Sequence, residues 1–130
     1  MLRVLAFGRF LDDKPGGIQS HVEHLFRAMR GTVDYMHLVP SRDWRDARLS
    51  LHGFPVIRKR GIDIDGTVAL SPALVSEAWR LSRAQTFDLV HLHFPDPMTH
   101  IASMAVPASV PRVITWHADI VRQRAVLPFY

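Results

Sequence analysis

The chain of 130 residues carries 16 lysines and arginines against 12 aspartates and glutamates, a formal net charge of +4 at pH 7. Its hydrophobic share of 48% suits a globular fold that buries one core, so we predict a single domain over residues 1–130. No apolar run approaches the roughly 20 residues of a membrane span, and no secretory signal is visible, so we expect a cytoplasmic protein. The absence of cysteine excludes disulfides, thiolate nucleophiles and cysteine-ligated zinc.

The basic residues favour an anionic partner such as a nucleotide, a phosphorylated substrate or an anionic lipid. They cluster at Arg42, Arg45 and Arg48 and again at residues 58–60. A solvated surface explains the same clusters. Because no helix-turn-helix or RNP-type signature accompanies them, we expect no nucleic-acid partner.

Apolar runs alternate with helical patterns along the chain, which is typical of βαβ units. Strands are predicted at residues 3–7, 34–39, 54–58, 67–70, 89–93 and 113–116. Helices are predicted at residues 18–29, from Pro72 onward, and from Pro97 to Ala105, because apolar residues recur there at helical spacing and proline suits a first helical turn. Residues 40–53 are polar and predict a loop or a short irregular helix. The fold class is therefore α/β, with a doubly wound, mostly parallel, Rossmann-like sheet.

Ligands of such sheets bind in the crevice at the carboxyl ends of the strands. The segments that follow predicted strand ends are residues 8–17, 40–43, 94–98 and 117–120. We expect these segments to converge on one crevice.

Gly16 and Gly17 end a polar loop and open the first predicted helix. Backbone N–H groups at a helix N-terminus lack intrahelical partners, the helix dipole adds positive potential, and glycine lets a phosphate approach closely. The pair predicts an anion site, although a tight turn would use the same residues.

The sequence gives little support for other nucleotide-binding or metal-binding motifs. The loop after the first strand lacks G-x-G-x-x-G, and no Gly-Lys-Ser or Gly-Lys-Thr occurs, which argues against NAD and against a Walker A site. Asp63 and Asp65 resemble a metal-binding aspartate pair, but they precede Gly66 in an apparent hairpin turn, where aspartate is favoured for local hydrogen bonds.

Histidines gather near the predicted strand ends. His91 and His93 lie on one face of a strand and could ligate zinc together with His117, or they could be hydrogen-bonded core residues. His117 follows the last predicted strand, at the edge of the expected crevice. It can donate to a sugar hydroxyl or a phosphate oxygen and can be held by Asp119.

Three segments together resemble family 4 glycosyltransferases, which are retaining enzymes of the GT-B fold. Residues 16–25 (GGIQSHVEHL) resemble the family's G-G-x-x-x-H-V-x-x-L opening. Residues 88–97 (DLVHLHFPDP) are similar to its D-[IV]-V-H-x-H segment, and residues 113–123 (VITWHADIVRQ) resemble its V-x-T-x-H-x-D-I block. The resemblance runs over almost the whole chain and is weakest between residues 43 and 67.

The resemblance implies transfer of a sugar from a nucleoside diphosphate sugar to an acceptor hydroxyl, with retention of configuration and no metal or other cofactor. Gly16 and Gly17 would receive the donor phosphates or lie beside the transferred sugar. His117, with Asp119, would be catalytic through contact with the donor sugar and stabilisation of the leaving charge. His21 and Asp96 would line the acceptor side. The acceptor would be a glycan or a lipid-linked sugar, in cell-surface polysaccharide or glycolipid synthesis.

The sequence departs from the family in one respect. Family members have a second α/β domain that supplies most of the nucleotide site, and it is absent from this chain. We therefore predict that the isolated chain is inactive, and that its exposed sheet edge pairs with another copy or with the missing domain. The basic clusters favour a peripheral contact with the inner membrane face. Two alternatives stay open: a non-catalytic module that binds a phosphate, a nucleotide or a partner, and a zinc hydrolase built on His91, His93 and His117.

Overall fold

The computed structural model of the chain describes residues 1–9, 17–64 and 68–117. Its helices and strands, in chain order, are β1 (Leu2–Phe7), α1 (Gly17–Met29), β2 (Val33–Pro40), β3 (Ala47–Leu51), β4 (Phe54–Lys59), β5 (Ile62–Ile64), β6 (Val68–Leu70), α2 (Pro72–Ala84), β7 (Leu89–Phe94), α3 (Pro97–Ser103) and β8 (Arg112–Trp116).

The main sheet has six strands in the order β3-β4-β2-β1-β7-β8. All neighbouring strands in it are parallel except β3 and β4. The chain builds outward from β1 through β2 to β4 and then crosses to the other side of β1, where it adds β7 and β8. The strand order therefore reverses between β1 and β7, which is where open α/β sheets bind ligands. The predicted α/β fold class is confirmed.

Alternate residues of the strands face opposite sides of the sheet. α1 packs on one face, in a core cluster that includes Val4, Ala6, Val22, Phe26 and Tyr35. α2 and α3 pack on the other face, in a larger cluster that includes Leu5, Phe7, Leu38, Leu92 and Phe94. Helices on both faces explain why the central strands are apolar almost throughout.

Residues 40–53 contain a strand, so the prediction of a loop or irregular helix there is wrong. β3 pairs antiparallel with β4 through a turn in which His52 and Gly53 both have positive φ, 50° and 87°. Two such residues form the tight turn that matches the twist of a hairpin. β3 is a mostly exposed edge strand, and its pairing with β4, rather than an apolar pattern, creates it.

The strand predicted at residues 67–70 does not join the main sheet. Its described part, β6, pairs with β5 in a separate antiparallel pair in which Asp63 lies opposite Ala69. Asp65 and Gly66 lie outside the described residues. The two strands of the predicted hairpin are therefore paired, and Asp63 belongs to one of these strands.

Side chains cap the two helices of the larger core. Ser71 precedes α2 and accepts from the Leu74 N–H, and Asp96 precedes α3 and accepts from the N–H groups of Met98 and Thr99. Proline follows each cap at the first helical position. These are favourable starts for a helix, and they fix where α2 and α3 begin.

Candidate functional site

Histidine side chains converge on the α1 face at the carboxyl end of the sheet. We call this group the histidine cluster; its members are His21, His37, His91, His93 and His117. β7 supplies two of them because positions 91 and 93 are two residues apart and so face the same side. The intervening Leu92 faces the apolar core under α2 and α3.

His93 is at the centre of the histidine cluster. Its ring centroid lies 4.2 Å from that of His91, 5.4 Å from His117, 6.0 Å from His21 and 6.4 Å from His37. The side chain is completely buried. Four elements, α1, β2, β7 and the end of β8, therefore meet around one imidazole.

His117 directly follows β8, at the edge of the sheet where its parallel strands end. Its backbone N–H donates to the Phe94 carbonyl at 3.0 Å, which extends the β7–β8 ladder by one bond. Its Nε2 lies 3.2 Å from Nδ1 of His93, so one ring donates to the other. His117 is partly exposed, so a buried histidine fixes a ring that a ligand can still reach.

The N-terminus of α1 lies beside His117. Gly17 opens the helix, and the ring of His21, one turn later, lies 4.7 Å from the ring of His117. Gly17 is exposed, and a Cβ placed on it would meet nothing within 4 Å among residues 1–9, 17–64 and 68–117. The N-terminal turns of α1 therefore lie close to His117, through the side chain of His21. Gly16 and Asp119 lie outside the described residues.

Burial keeps the inner histidines neutral. Desolvation, followed by the charge of His91, lowers the pKa of His37 to about 3, and desolvation with four neighbouring histidines lowers that of His93 to about 2. The pKa values of His91 and His117 are also lowered, first by burial and then by other histidines. Near neutral pH these rings act as uncharged hydrogen-bonding groups.

His37 belongs to the histidine cluster and was not singled out from the sequence. Its ring packs so closely against Gly8 that a Cβ there would lie 2.7 Å from Cε1 of the ring. Gly8 follows β1, and its N–H donates to Leu38 at 3.1 Å. The sequence signal that could have identified His37 is its position near the end of a predicted strand, two residues after the apolar Tyr35.

Asp96 is buried on the α3 side of the strand ends, where it caps α3. Its Oδ1 accepts from Met98 N at 3.0 Å and from Thr99 N at 3.3 Å. Burial nevertheless raises its pKa to about 6, because the desolvation outweighs these bonds and the nearby charge of Arg9. The structure thus gives Asp96 a helix-capping position, and its predicted acceptor role stays a prediction.

The three histidines proposed as zinc ligands do not form one set. Nε2 of His91 lies 2.8 Å from Oγ1 of Thr115, which occupies that nitrogen. The ring nitrogens that do converge belong to His21, His93 and His117, and they lie within 4.8 Å of one another. His21 thus takes the place predicted for His91.

The basic clusters lie near the end of β4, on the other half of the sheet. Asp46 partly neutralises them, with an oxygen 3.2 Å from Lys59 Nζ and 3.4 Å from Arg60 Nη1. The guanidinium of Arg60 also lies over the exposed ring of Trp44, 5.7 Å from its centroid. None of the helices within residues 1–9, 17–64 and 68–117 has both the length and the apolar character needed to cross a bilayer.

Comparison with known proteins places the sequence in a family. The family model described as Glycosyltransferase Family 4 matches residues 15–129. The chain is 29% identical over 131 aligned residues to a D-rhamnosyltransferase, WbpZ, of Pseudomonas aeruginosa, covering 99% of this chain and 34% of that protein. It is 32% identical over 123 residues to a phosphatidyl-myo-inositol mannosyltransferase of Mycobacterium leprae, covering 90% of this chain and 32% of that protein.

The chain thus spans about a third of the length of these curated relatives. No solved structure matches it significantly. The family match covers most of the sequence, including α1, β2, β7 and the residue after β8, which supply the histidine cluster. The chain belongs to glycosyltransferase family 4.

Proposed function

We propose that this domain forms the acceptor-side half of a retaining glycosyltransferase that moves a sugar from a nucleoside diphosphate sugar to an acceptor hydroxyl. The observation that carries the proposal is the meeting of the α1 N-terminus with His117, through the 4.7 Å contact of the His21 and His117 rings. An anion-binding helix end and an imidazole that can donate to a sugar hydroxyl are the two groups that such a donor needs.

The donor diphosphate and its sugar lie at the N-terminus of α1 in this proposal. Gly17 has no side chain, so the phosphate oxygens or the transferred sugar can approach the main chain there. The helix dipole favours the negative charge that grows on the leaving diphosphate. We assign the same role to Gly16, on the family resemblance.

His117 contacts the transferred sugar and stabilises the charge that develops as the nucleotide departs. His93 holds its ring through the 3.2 Å nitrogen–nitrogen contact, so the orientation exists before the substrate binds. Asp119 orients the same imidazole from the chain that follows. His21 and Asp96 line the acceptor side of the pocket.

The reaction in this proposal uses no metal ion. The diphosphate charge is balanced by the helix N-terminus and by the basic residues of a second domain, to which we assign most of the nucleotide site. Because this chain spans about a third of its relatives, we expect it to show no transfer on its own.

The acceptor in this proposal is a glycan or a lipid-linked sugar at the cytoplasmic face of the membrane. The names of the relatives, a D-rhamnosyltransferase and a phosphatidyl-myo-inositol mannosyltransferase, support sugar transfer, and the second of them names a lipid acceptor. The exposed Trp44 beside Arg60, together with the exposed Ile62 and Ile64 of the neighbouring hairpin, supports peripheral contact with anionic lipid.

Substitution of His117 in the full-length protein tests the proposal. We expect His117→Ala to lower the rate of transfer from the cognate sugar nucleotide by about 10²- to 10³-fold, the usual cost of losing one preorganised donor. His24→Ala is the matched control, because His24 is exposed on α1 and its ring bonds locally to the Ser20 carbonyl. Equal activity of the two variants would contradict the role of His117.

A further inference from the structure

We propose that His21, His93 and His117 form a binding site for a borderline divalent transition ion, with Zn²⁺ as the reference ion. The three side chains come from α1, β7 and the residue after β8, and one ring nitrogen of each lies within 4.8 Å of the other two. The site is absent from the linear sequence pattern, because the fold alone brings position 21 to positions 93 and 117.

The geometry is close to that of a three-histidine zinc site. Zn–N bonds of about 2.0–2.1 Å in a tetrahedron place ligand nitrogens about 3.3–3.4 Å apart. Nδ1 of His93 and Nε2 of His117 already lie 3.2 Å apart. His21 is exposed on the first turns of α1, so its side-chain torsions can bring its nitrogen into range while the backbone stays in place.

The ligand set selects the class of ion. Three imidazoles suit zinc, copper and nickel, whereas magnesium and calcium require oxygen ligands. Three protein ligands leave one tetrahedral position for water or an anion.

The second ring nitrogen of His93 is available to carry the ring proton. Its Nε2 is buried and has no hydrogen-bond partner among the residues that the structure describes. The proton shared between His93 and His117 can therefore move to that nitrogen, which leaves a lone pair on each nitrogen that faces the metal. His91 packs against the ring at 4.2 Å between centroids and keeps its plane fixed.

A metal ion bound at this site inhibits sugar transfer and does not assist it. This consequence rests on the proposed function. A metal would take the lone pair of His117 and fill the space beside Gly17. Zn²⁺ and the donor sugar nucleotide would then compete for one pocket. The metal site itself does not depend on the nature of the reaction.

The test is calorimetric titration of the metal-free full-length protein with Zn²⁺, without any sugar nucleotide. We expect His21→Ala to weaken the binding of one Zn²⁺ at least tenfold relative to the unsubstituted protein. Since His21 is exposed, this variant keeps the fold, and circular dichroism verifies that. His24→Ala, one turn away on the same helix, is expected to leave the affinity unchanged.

Two results would overturn the proposal. One is the absence of Zn²⁺ binding in the unsubstituted protein at concentrations up to about 1 mM, which corresponds to only about 4 kcal/mol of binding free energy. The other is equal affinity in the His21→Ala and His24→Ala variants. If the protein binds Zn²⁺ through His21 and sugar transfer is undiminished in the presence of Zn²⁺, the metal site is supported and the proposed donor pocket is contradicted. The failure of the metal site and the failure of the proposed function are therefore distinguishable.

Discussion

The two faces of the six-stranded sheet use alternate residues of the same strands for different purposes. In β7, Val90, Leu92 and Phe94 enter the apolar core under α2 and α3, while His91 and His93 point towards α1. One face is therefore built for packing and the other, at its carboxyl end, for polar contacts. A single parallel strand such as β7 can therefore contribute both to the stability of the core and to a functional site, because successive side chains point to opposite faces of the sheet.

The largest effect is expected on the packing face. Leu92→Ala removes a side chain that is only 3% exposed, and we expect the free energy of unfolding to fall by about 2–5 kcal/mol. His91→Gln, one residue away on the other face, keeps the bulk and a polar end, so we expect a loss of about 1 kcal/mol. Urea unfolding of both variants gives the comparison, and equal losses would remove the distinction between the faces.

The histidine face is expected to weaken in acid. The pKa of His37 is about 3 in the folded chain, whereas an unfolded histidine titrates near 6.5. Between these values the unfolded state binds more protons, so stability falls as the pH falls, by about 1.4 kcal/mol per pH unit for this one group. Above pH 6.5 both states are neutral and the effect disappears.

His37→Gln isolates this contribution in urea unfolding at pH 7, 6 and 5 with a chelator present. Asp96 acts in the opposite sense, because a pKa raised to about 6 makes the folded state bind more protons between about pH 4 and 6. Asp96 is present in both the His37→Gln variant and the unsubstituted chain, so its contribution cancels in the difference between their free energies of unfolding. If the difference between the two free energies of unfolding does not change with pH, His37 is not buried in its neutral form.

Two glycines give the next contrast. Ala at position 8 would place Cβ 2.7 Å from the buried His37 ring, and we expect Gly8→Ala to cost about 1–3 kcal/mol in stability. Within the part of the chain that the structure describes, the new Cβ of Gly17→Ala meets nothing within 4 Å, so the free energy of unfolding should change by less than about 0.5 kcal/mol. If the donor phosphates approach there, Gly17→Ala should still raise the KM for the sugar nucleotide in the full-length protein. An unchanged KM would argue against phosphate contact at Gly17.

The smallest effect is expected at the α3 cap. Asp96→Ala removes the acceptor for the N–H groups of Met98 and Thr99, at a cost of about 0.5–2 kcal/mol. Asp96→Asn keeps an acceptor oxygen and removes a buried charge, so at pH 7.5 its stability should equal or exceed that of the unsubstituted chain. Thermal unfolding at that pH compares the two, and a large loss in Asp96→Asn would mean that the charge itself is needed.

Most of the fold was predictable from sequence because the central strands and the three helices carry strong local patterns. β1, β2, β4, β7 and β8 appear within one or two residues of their predicted bounds. β3 was not predictable, because it is largely exposed and exists through its pairing with β4. The placement of β6 outside the main sheet likewise depends on its partner, which local periodicity does not reveal.

The site was predictable in part. The strand-end rule predicts that the start of α1 and His117 face one crevice, and in the structure the rings of His21 and His117 lie 4.7 Å apart. The inclusion of His37 and the replacement of His91 by His21 in the converging set depend on sheet register and on how α1 lies across the sheet, which spacing along the chain does not encode. The roles of Gly16 and Asp119 stay predictions from the family resemblance.

NMR titration of the full-length protein with a panel of nucleoside diphosphate sugars tests the central claim most directly. It follows the backbone amide of Gly17 and the ring signals of His117 in the same experiment. We predict that the cognate donor shifts both sets of signals over the same concentration range, with one Kd, because the helix N-terminus and the imidazole border one pocket. A donor that binds while either set of signals stays unmoved would contradict the account.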